Sequence, residues 1–511
     1  MRRTFKKLIW LMFVAGTITS ASAFSLWGPA ETWQTQDLDY GIRYLPFIPI
    51  TDATIFDVLG PGDLAGADYV ELGGTKDLGD GARQNTPIIT YAFDSTFLNF
   101  FGSQGVATVN SAFAIFNALP AASSANLATF LTQGNQQVNY TAQALRMLDL
   151  KSTVMWIIIE HLGLIGETHT YDLRERVAEA TLENGGSCAF DYVVLQRNYD
   201  PVTYDVSDYV NGTLLTYQIG DLCPAIASGD AMEQSTQPGV PPFSAVATKE
   251  GLQVGGYYLG ITRDDMGGLK YLYRQNRYVN EGLDSNVLAS STLESSWVPV
   301  STNGVVSSAI SGFGGLLGGV EKVTFVQTPY DSLLGTNFTP RTYKYSVHVV
   351  ANGVVKTVNA TRRIVAPDII FTAGDLVEPG PDNYEVAVVR NNPNGNFITY
   401  GEAVSPGALV NPNTISAAVL TPELIISLNN DGQIFYNATS LGGSGFLDQD
   451  NSFEQGFIWG SFNGSSTAPI AFPNGTSIQQ LESQVLGSGL TTTLSSPYSP
   501  VSIITNGTAT Q

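Results

Sequence analysis

Val154-Met155-Trp156-Ile157-Ile158-Ile159-Glu160-His161-Leu162-Gly163-Leu164-Ile165-Gly166-Glu167-Thr168-His169 is the stretch on which the reading of this chain turns. Its first half is apolar all round a helix, which places that helix inside a core rather than on a surface. The helix is expected to begin near Ser152 and run to about Leu164, with Gly163 and Gly166 marking its end. Glu160 and His161 stand in its last turn, and His169 follows the glycines.

On the N-terminal side, Pro87-Ile88-Ile89-Thr90-Tyr91-Ala92-Phe93 is β-branched and aromatic, the composition of a strand. Residues 104–118 carry Val106, Val109, Phe113 and Phe116 at helical spacing. Residues 122–133 and 140–150 are further helical candidates, whereas 24–85, broken by turn clusters, is read as irregular. On the C-terminal side the pattern changes to strands at Phe190–Gln196, Thr203–Val210 and Leu214–Ile219, with Asn211-Gly212 as a two-residue hairpin turn. A last helix is expected from near Asp264 to about Tyr273. Beyond about 285 only short strands remain, at 297–300, 322–327, 343–350, 354–364, 384–390 and 424–428, with Asn352-Gly353 as a second hairpin turn. Such punctuated strands imply one or two β-sandwich modules.

The 511 residues exceed what one core usually serves. The expected division is a leader at 1–23, an α+β domain at 24–285 with a β insertion at about 186–225, a β-sandwich module at 286–400, and a second β-rich module with a polar tail at 401–511. Arg2, Arg3, Lys6 and Lys7 precede the apolar run Leu8–Val14, and Ala21-Ser22-Ala23 forms an A-x-A cleavage site, together an export signal. Arg2-Arg3-Thr4-Phe5-Lys6-Lys7 also resembles a twin-arginine motif, although the apolar core and short basic region favour a Sec signal. No other apolar run reaches the ~20 residues that span a bilayer, so a periplasmic, cell-surface or extracellular protein with no transmembrane segment is expected.

The formal net charge is −21. Removal of the leader leaves 20 basic against 45 acidic residues, near −25, which excludes nucleic acid as a partner because phosphate contacts need clustered Lys and Arg. Cys188 and Cys223 are the only cysteines and bracket the β insertion. In an oxidising compartment they most simply form one disulfide, with two isolated buried thiols as the competing reading. Eight N-x-[ST] sequons, including Asn139 and Asn211, are mostly explained by the abundance of Asn, Ser and Thr.

Laid on H-E-x-x-H-x-x-G-x-x-H, the opening stretch keeps Glu160, Gly166 and His169 but has Ile159 and Gly163 at the two helix histidines. Ile88–Phe93 with its following helix, Ile159–His169, and Leu259-Gly260-Ile261-Thr262-Arg263-Asp264-Asp265-Met266-Gly267-Gly268-Leu269-Lys270-Tyr271-Leu272-Tyr273 occur in the order that resembles matrixin-like metzincin metallopeptidases. Met232 falls where that family has its Met-turn. The resemblance covers roughly residues 86–280.

It implies Glu160 as the general base and His169 as a zinc ligand. Ile159 cannot ligate, and Gly163 has no side chain to do so. His161 lies ~200° round the helix from Ile159, away from the ligand face. Glu167 could approach His169 after the glycine turn, and His348 is expected on a strand. No cofactor is therefore expected, and zinc only if an atypical ligand set exists.

Each residue also has a structural reading. Glu160 and His161 would pair with Arg174 or Arg176, and His169 would bind a backbone carbonyl. Asp264 and Asp265 would cap their helix, and Met232 and Met266 would fill core. With three histidines and no G-x-S-x-G, a Ser-His-Asp triad has no support, and neither a P-loop nor a G-x-G-x-x-G before a helix occurs.

The sequence thus points to an exported, acidic protein with a structural or binding role on a zinc-protease-like scaffold that has lost its metal site. Its partner would be a protein or glycan at the cell surface. An atypical active zinc peptidase is the first alternative. A glycan-binding protein using Phe457, Trp459 and Phe462 is the second.

Overall fold

The computed structural model describes residues 23–26, 78–132, 134–165, 171–178, 190–196, 198–221, 229–235, 245–247, 253–279, 287–289, 316–330, 338–351, 354–373, 386–391, 397–400, 418–420, 422, 424–428, 434–440, 443–449, 458–473, 475–479, 481–482, 493–496 and 499–502, and every structural statement concerns these. They form an α+β fold. The helices are α1 (Ser95–Ala118), α2 (Tyr140–Ala144), α3 (Leu150–His161) and α4 (Arg263–Tyr273). The strands that matter below are β1 (Ser25–Leu26), β2 (Ile88–Phe93), β3 (Leu164–Ile165), β4 (Thr324–Gln327), β5 (Arg341–Ala351), β6 (Val354–Ile364), β7 (Ile369–Thr372), β8 (Leu424–Leu428), β9 (Ile434–Ser440) and β10 (Gly443–Gln449).

Helix α1 begins well before the expected residue 104. The Asp94 side chain accepts a hydrogen bond from the Phe97 amide at 2.9 Å and so caps the first turn. Gly102, with φ 60° and ψ −161°, then kinks the helix, which hides the early turns from a search for unbroken periodicity. Of the candidate helices between α1 and α3, residues 122–124 and 127–129 form 3-10 turns, and only Tyr140–Ala144 is α-helical. Helix α3 is capped by Asp149, whose carboxylate accepts from the Ser152 amide at 2.9 Å.

The principal sheet has six strands in the order β4-β2-β7-β8-β9-β10. The first four are parallel and the last two antiparallel. Helix α1 lies on this sheet: Phe113 packs on Phe325 of β4, and Phe97 packs on Phe93 of β2 and Phe371 of β7, with centroids 4.8–6.0 Å apart. Tyr91 stacks on Phe113 at 3.9 Å and donates to Asn110 of α1 at 2.9 Å. Its burial raises the phenol pKa to about 12.

Sheet membership runs across the expected boundaries at 285 and 400. Strands expected in separate sandwich modules lie on both sides of β2 in one sheet, and Met147–Asp149 pairs in parallel with Ile458–Gly460. Turn chemistry sets local hairpins, but it does not choose the neighbours of a buried parallel strand. Locally the Asn211-Gly212 hairpin reading holds, whereas Asn352-Gly353 lie outside the described residues, between two paired strands. β5 and β6 pair from Ala351↔Val354 to Arg341↔Ile364, and Val210↔Thr213 flank Asn211-Gly212, both at positive φ. Residues 203–208, expected in a strand, are irregular apart from a single antiparallel bridge from Val206 to Tyr199, and Phe190–Gln196 pairs with Tyr171–Ala178 rather than within the insertion. Cys188 and Cys223 lie outside the described residues.

One buried ion pair joins β6, β2 and the start of β7. Arg362 of β6 donates to both carboxylate oxygens of Asp368 at 2.9 and 2.7 Å, and both side chains are almost fully buried. Asp368 also accepts from the Thr90 amide (2.7 Å) and hydroxyl (2.9 Å) of β2, while Arg362 donates to the Ile88 carbonyl at 3.1 Å. Removing one partner strands a buried charge. Arg362→Ala is therefore expected to lower stability in urea denaturation by about 3–5 kcal/mol. The double change Arg362→Met/Asp368→Leu should cost much less, since it leaves no orphan charge.

Candidate functional site

The helix α3 is buried along its whole length, and Ile159 is completely so. Glu160, 8% exposed, accepts a hydrogen bond from the Trp156 indole one turn earlier at 2.8 Å. His161, 3% exposed, has its Nε2 3.2 Å from the Pro422 carbonyl and 3.3 Å from the Gln84 amide nitrogen. A carbonyl only accepts, so the contact with Pro422 requires the proton on Nε2. The Gln84 amide in turn donates to the His161 carbonyl at 3.0 Å.

Gly163 explains itself. Its φ is +106°, and a Cβ there would lie 2.2 Å from the Ala82 carbonyl oxygen and 2.9 Å from Leu272. Only glycine allows that backbone approach. The segment on the other side cannot easily yield. Arg83, buried, donates to the carbonyls of Leu272 (2.7 Å), Arg277 (3.2 Å) and Leu317 (3.0 Å). The Gln84 backbone N–H donates to the Tyr273 hydroxyl at 3.1 Å, and that hydroxyl donates to the Leu162 carbonyl at 2.7 Å. The end of the motif helix is therefore a packed junction of Ala82–Gln84, His161–Gly163, Leu272–Tyr273 and Pro422.

A zinc ion at the positions that the template implies does not fit this junction. Ile159 offers a hydrocarbon, Gly163 has the Ala82 backbone against its Cα, and the Glu160 carboxylate is turned to Trp156. His169, Glu167 and Gly166 lie outside the described residues, as do the side chains of Arg174 and Arg176. Among the described residues no cluster of three or more His, Cys, Asp or Glu could hold a metal. Met232 does not sit in a turn: it lies within the strand Gly229–Ser235, opposite Gln218. His348 is on a strand, as expected, with its carbonyl accepting from Gly318 at 2.8 Å.

Of the Asp-Asp pair expected to cap α4, Asp265 does so together with Thr262, and Asp264 turns to the Asn211 hairpin instead. Thr262 and Asp265 form a capping box, and the buried Asp265 carboxylate also accepts from the amides of Val246 (3.0 Å) and Ala247 (3.1 Å). Burial raises its pKa, against the pull of those hydrogen bonds. Asp264 holds the backbone amide of Asn211, tying the hairpin turn to the helix start. Asn139 and Asn211, both sequon asparagines, are buried in such bonds. Trp459 and Phe462 are 1% and 6% exposed, so neither offers a ring face to a sugar; Phe457 lies outside the described residues. The junction residues Arg83, Gln84 and Tyr273 were not singled out from sequence, where 24–85 read as irregular and Tyr273 as the end of a helix.

No family model, no curated protein and no solved structure matches this chain. Among the described residues no helix is long and apolar enough to cross a membrane.

Two outcomes are expected. Burial lowers the His161 pKa from 6.5 to about 4, with the Pro422 hydrogen bond opposing the shift. The folded chain therefore keeps the ring neutral where the unfolded chain binds a proton. This contribution to stability is complete above pH 6.5 and is lost as pH falls toward 4. The loss is about 3 kcal/mol, and His161→Gln should flatten that part of a stability–pH curve. Restoring both template histidines, Ile159→His/Gly163→His, should destabilise the protein and give no zinc binding by calorimetry, because the Gly163 side chain has no room.

Proposed function

We propose that this chain is an exported, acidic, non-catalytic protein with a structural or binding role outside the cytoplasm, on a scaffold resembling matrixin-like metzincins without their metal site. One observation carries the reading: the Ala82 carbonyl stands 2.2 Å from where a Gly163 side chain would begin, so the end of the motif helix is committed to packing. The order of strand β2, helix α1, buried helix α3 and acid-capped helix α4 supports the scaffold resemblance. The strands beside β2 depart from a self-contained domain ending near 285, and the likeness is therefore strongest in the helices.

What such a scaffold offers a partner is its acidic exterior, at a formal charge near −25 once the four basic residues of the leader are removed, and not a catalytic groove. That charge favours a cationic protein surface over nucleic acid or anionic lipid. A peptidase with an atypical ligand set would need His169 to gather ligands away from α3, since Glu160 accepts from Trp156 and the His161 ring donates to the Pro422 carbonyl. Elemental analysis of the purified mature chain decides between the two. The expected result is no stoichiometric zinc and no chelator-sensitive cleavage of a generic protein substrate. Stoichiometric zinc that disappears in His169→Ala would overturn the proposal.

A further inference from the structure

The segment Ala23–Leu26 begins at the last residue of the A-x-A cleavage site and is part of the core. Ala23, Phe24 and Leu26 have no exposed surface, and Ser25 is 1% exposed. Phe24 exchanges both backbone hydrogen bonds with Tyr199 at 2.9 Å. Its ring lies 6.4 Å from that of Tyr199 and 6.1 Å from that of Tyr271 on α4, against Gly268. Ser25 and Leu26 form β1, which pairs antiparallel with Ile165 and Leu164 of β3, directly after the motif helix. Leu26 also packs so closely on Gly81 that a Cβ there would stand 2.6 Å from its Cδ1.

A leader peptidase has to draw the residues flanking its scissile bond into its own cleft as an extended strand. Proteolysis accordingly falls on exposed, mobile chain or waits for local opening. In the folded chain the residues after Ala23 already spend their backbone groups on Tyr199, Leu164 and Ile165. We propose that leader removal between Ala23 and Phe24 takes place before the chain folds, and that export therefore follows the unfolded-chain route. Arg2-Arg3 then acts only as part of a basic leader, not as the signal of a transporter for folded cargo. Phe24 becomes the first residue of the mature chain and is sealed beneath α4 as folding ends. The inference rests on the reading of residues 1–23 as an export signal.

The test uses the full-length precursor and a purified leader peptidase. Precursor diluted from urea directly into the peptidase should be cut at Ala23–Phe24, as read by N-terminal sequencing. Precursor first allowed to refold should be cut at least about 100-fold more slowly, because cleavage then waits on a rare opened state. Equal rates would overturn the proposal. Should the leader itself hinder refolding, a second measurement decides: Arg2→Lys/Arg3→Lys in a host with both export routes should leave export within about twofold of the parent chain, because the unfolded-chain route reads a basic leader and not an arginine pair. Export lost in that variant would overturn the order of events. If neither precursor sample is cut and the parent chain is not exported, the export reading itself fails, and the proposal with it.

Discussion

The carboxylate of Asp368 is the point on which the sheet depends. It receives Arg362 in a two-point ion pair and the amide and hydroxyl of Thr90, so one buried group joins strand β2, the start of β7 and the long hairpin strand β6. Burying a carboxylate is tolerable only when its lone pairs are filled, and here four donors fill them. The parallel pairing of β2 with β7 places Phe93 against Phe371 and gives α1 a continuous aromatic bed. Such a pair does little for net stability compared with an apolar core, but it selects one register and one neighbour among many apolar strands.

The same logic operates at the end of the motif helix, with backbone instead of charge. Helix termini leave carbonyls without intrahelical partners, and a buried terminus must satisfy them from elsewhere. Tyr273 serves Leu162 and Gln84 serves His161, while Arg83 serves the carbonyls at the end of α4 and beyond. The polar residues that look like the beginnings of chemistry are consumed in closing this junction. His161 is kept neutral by burial, and Glu160 is tied to the helix that carries it.

Much of the local structure was legible in the sequence. The all-apolar run 154–159 reads as a buried helix because no face of it tolerates water. Asn211-Gly212 and Asn352-Gly353 read as hairpin turns because those residues accept positive φ, and the Asp-Asp pair reads as a cap because of its place before an apolar run. The sheet order was not legible. Arg362 and Asp368 are six residues apart, yet Asp368 accepts from Thr90, 278 residues away, and Arg362 donates to Ile88, 274 residues away, and no periodicity connects them. Gly163 was read as a helix end and as a missing ligand, and its close packing was not foreseen. That the Ala82 carbonyl requires glycine there became visible only once residues 82 and 163 were side by side.

The interleaving of distant strands has a consequence for the birth of the chain. Strand β2 is synthesised some 330 residues before β8, and both neighbours that flank it, β4 and β7, also come late. At ~5–20 residues per second, β2 waits on the order of tens of seconds for the strands that cover its edges. During that interval its β-branched, aromatic edge is open to pairing with other chains. A chain built this way leaves a pairing-competent edge uncovered for most of its own synthesis.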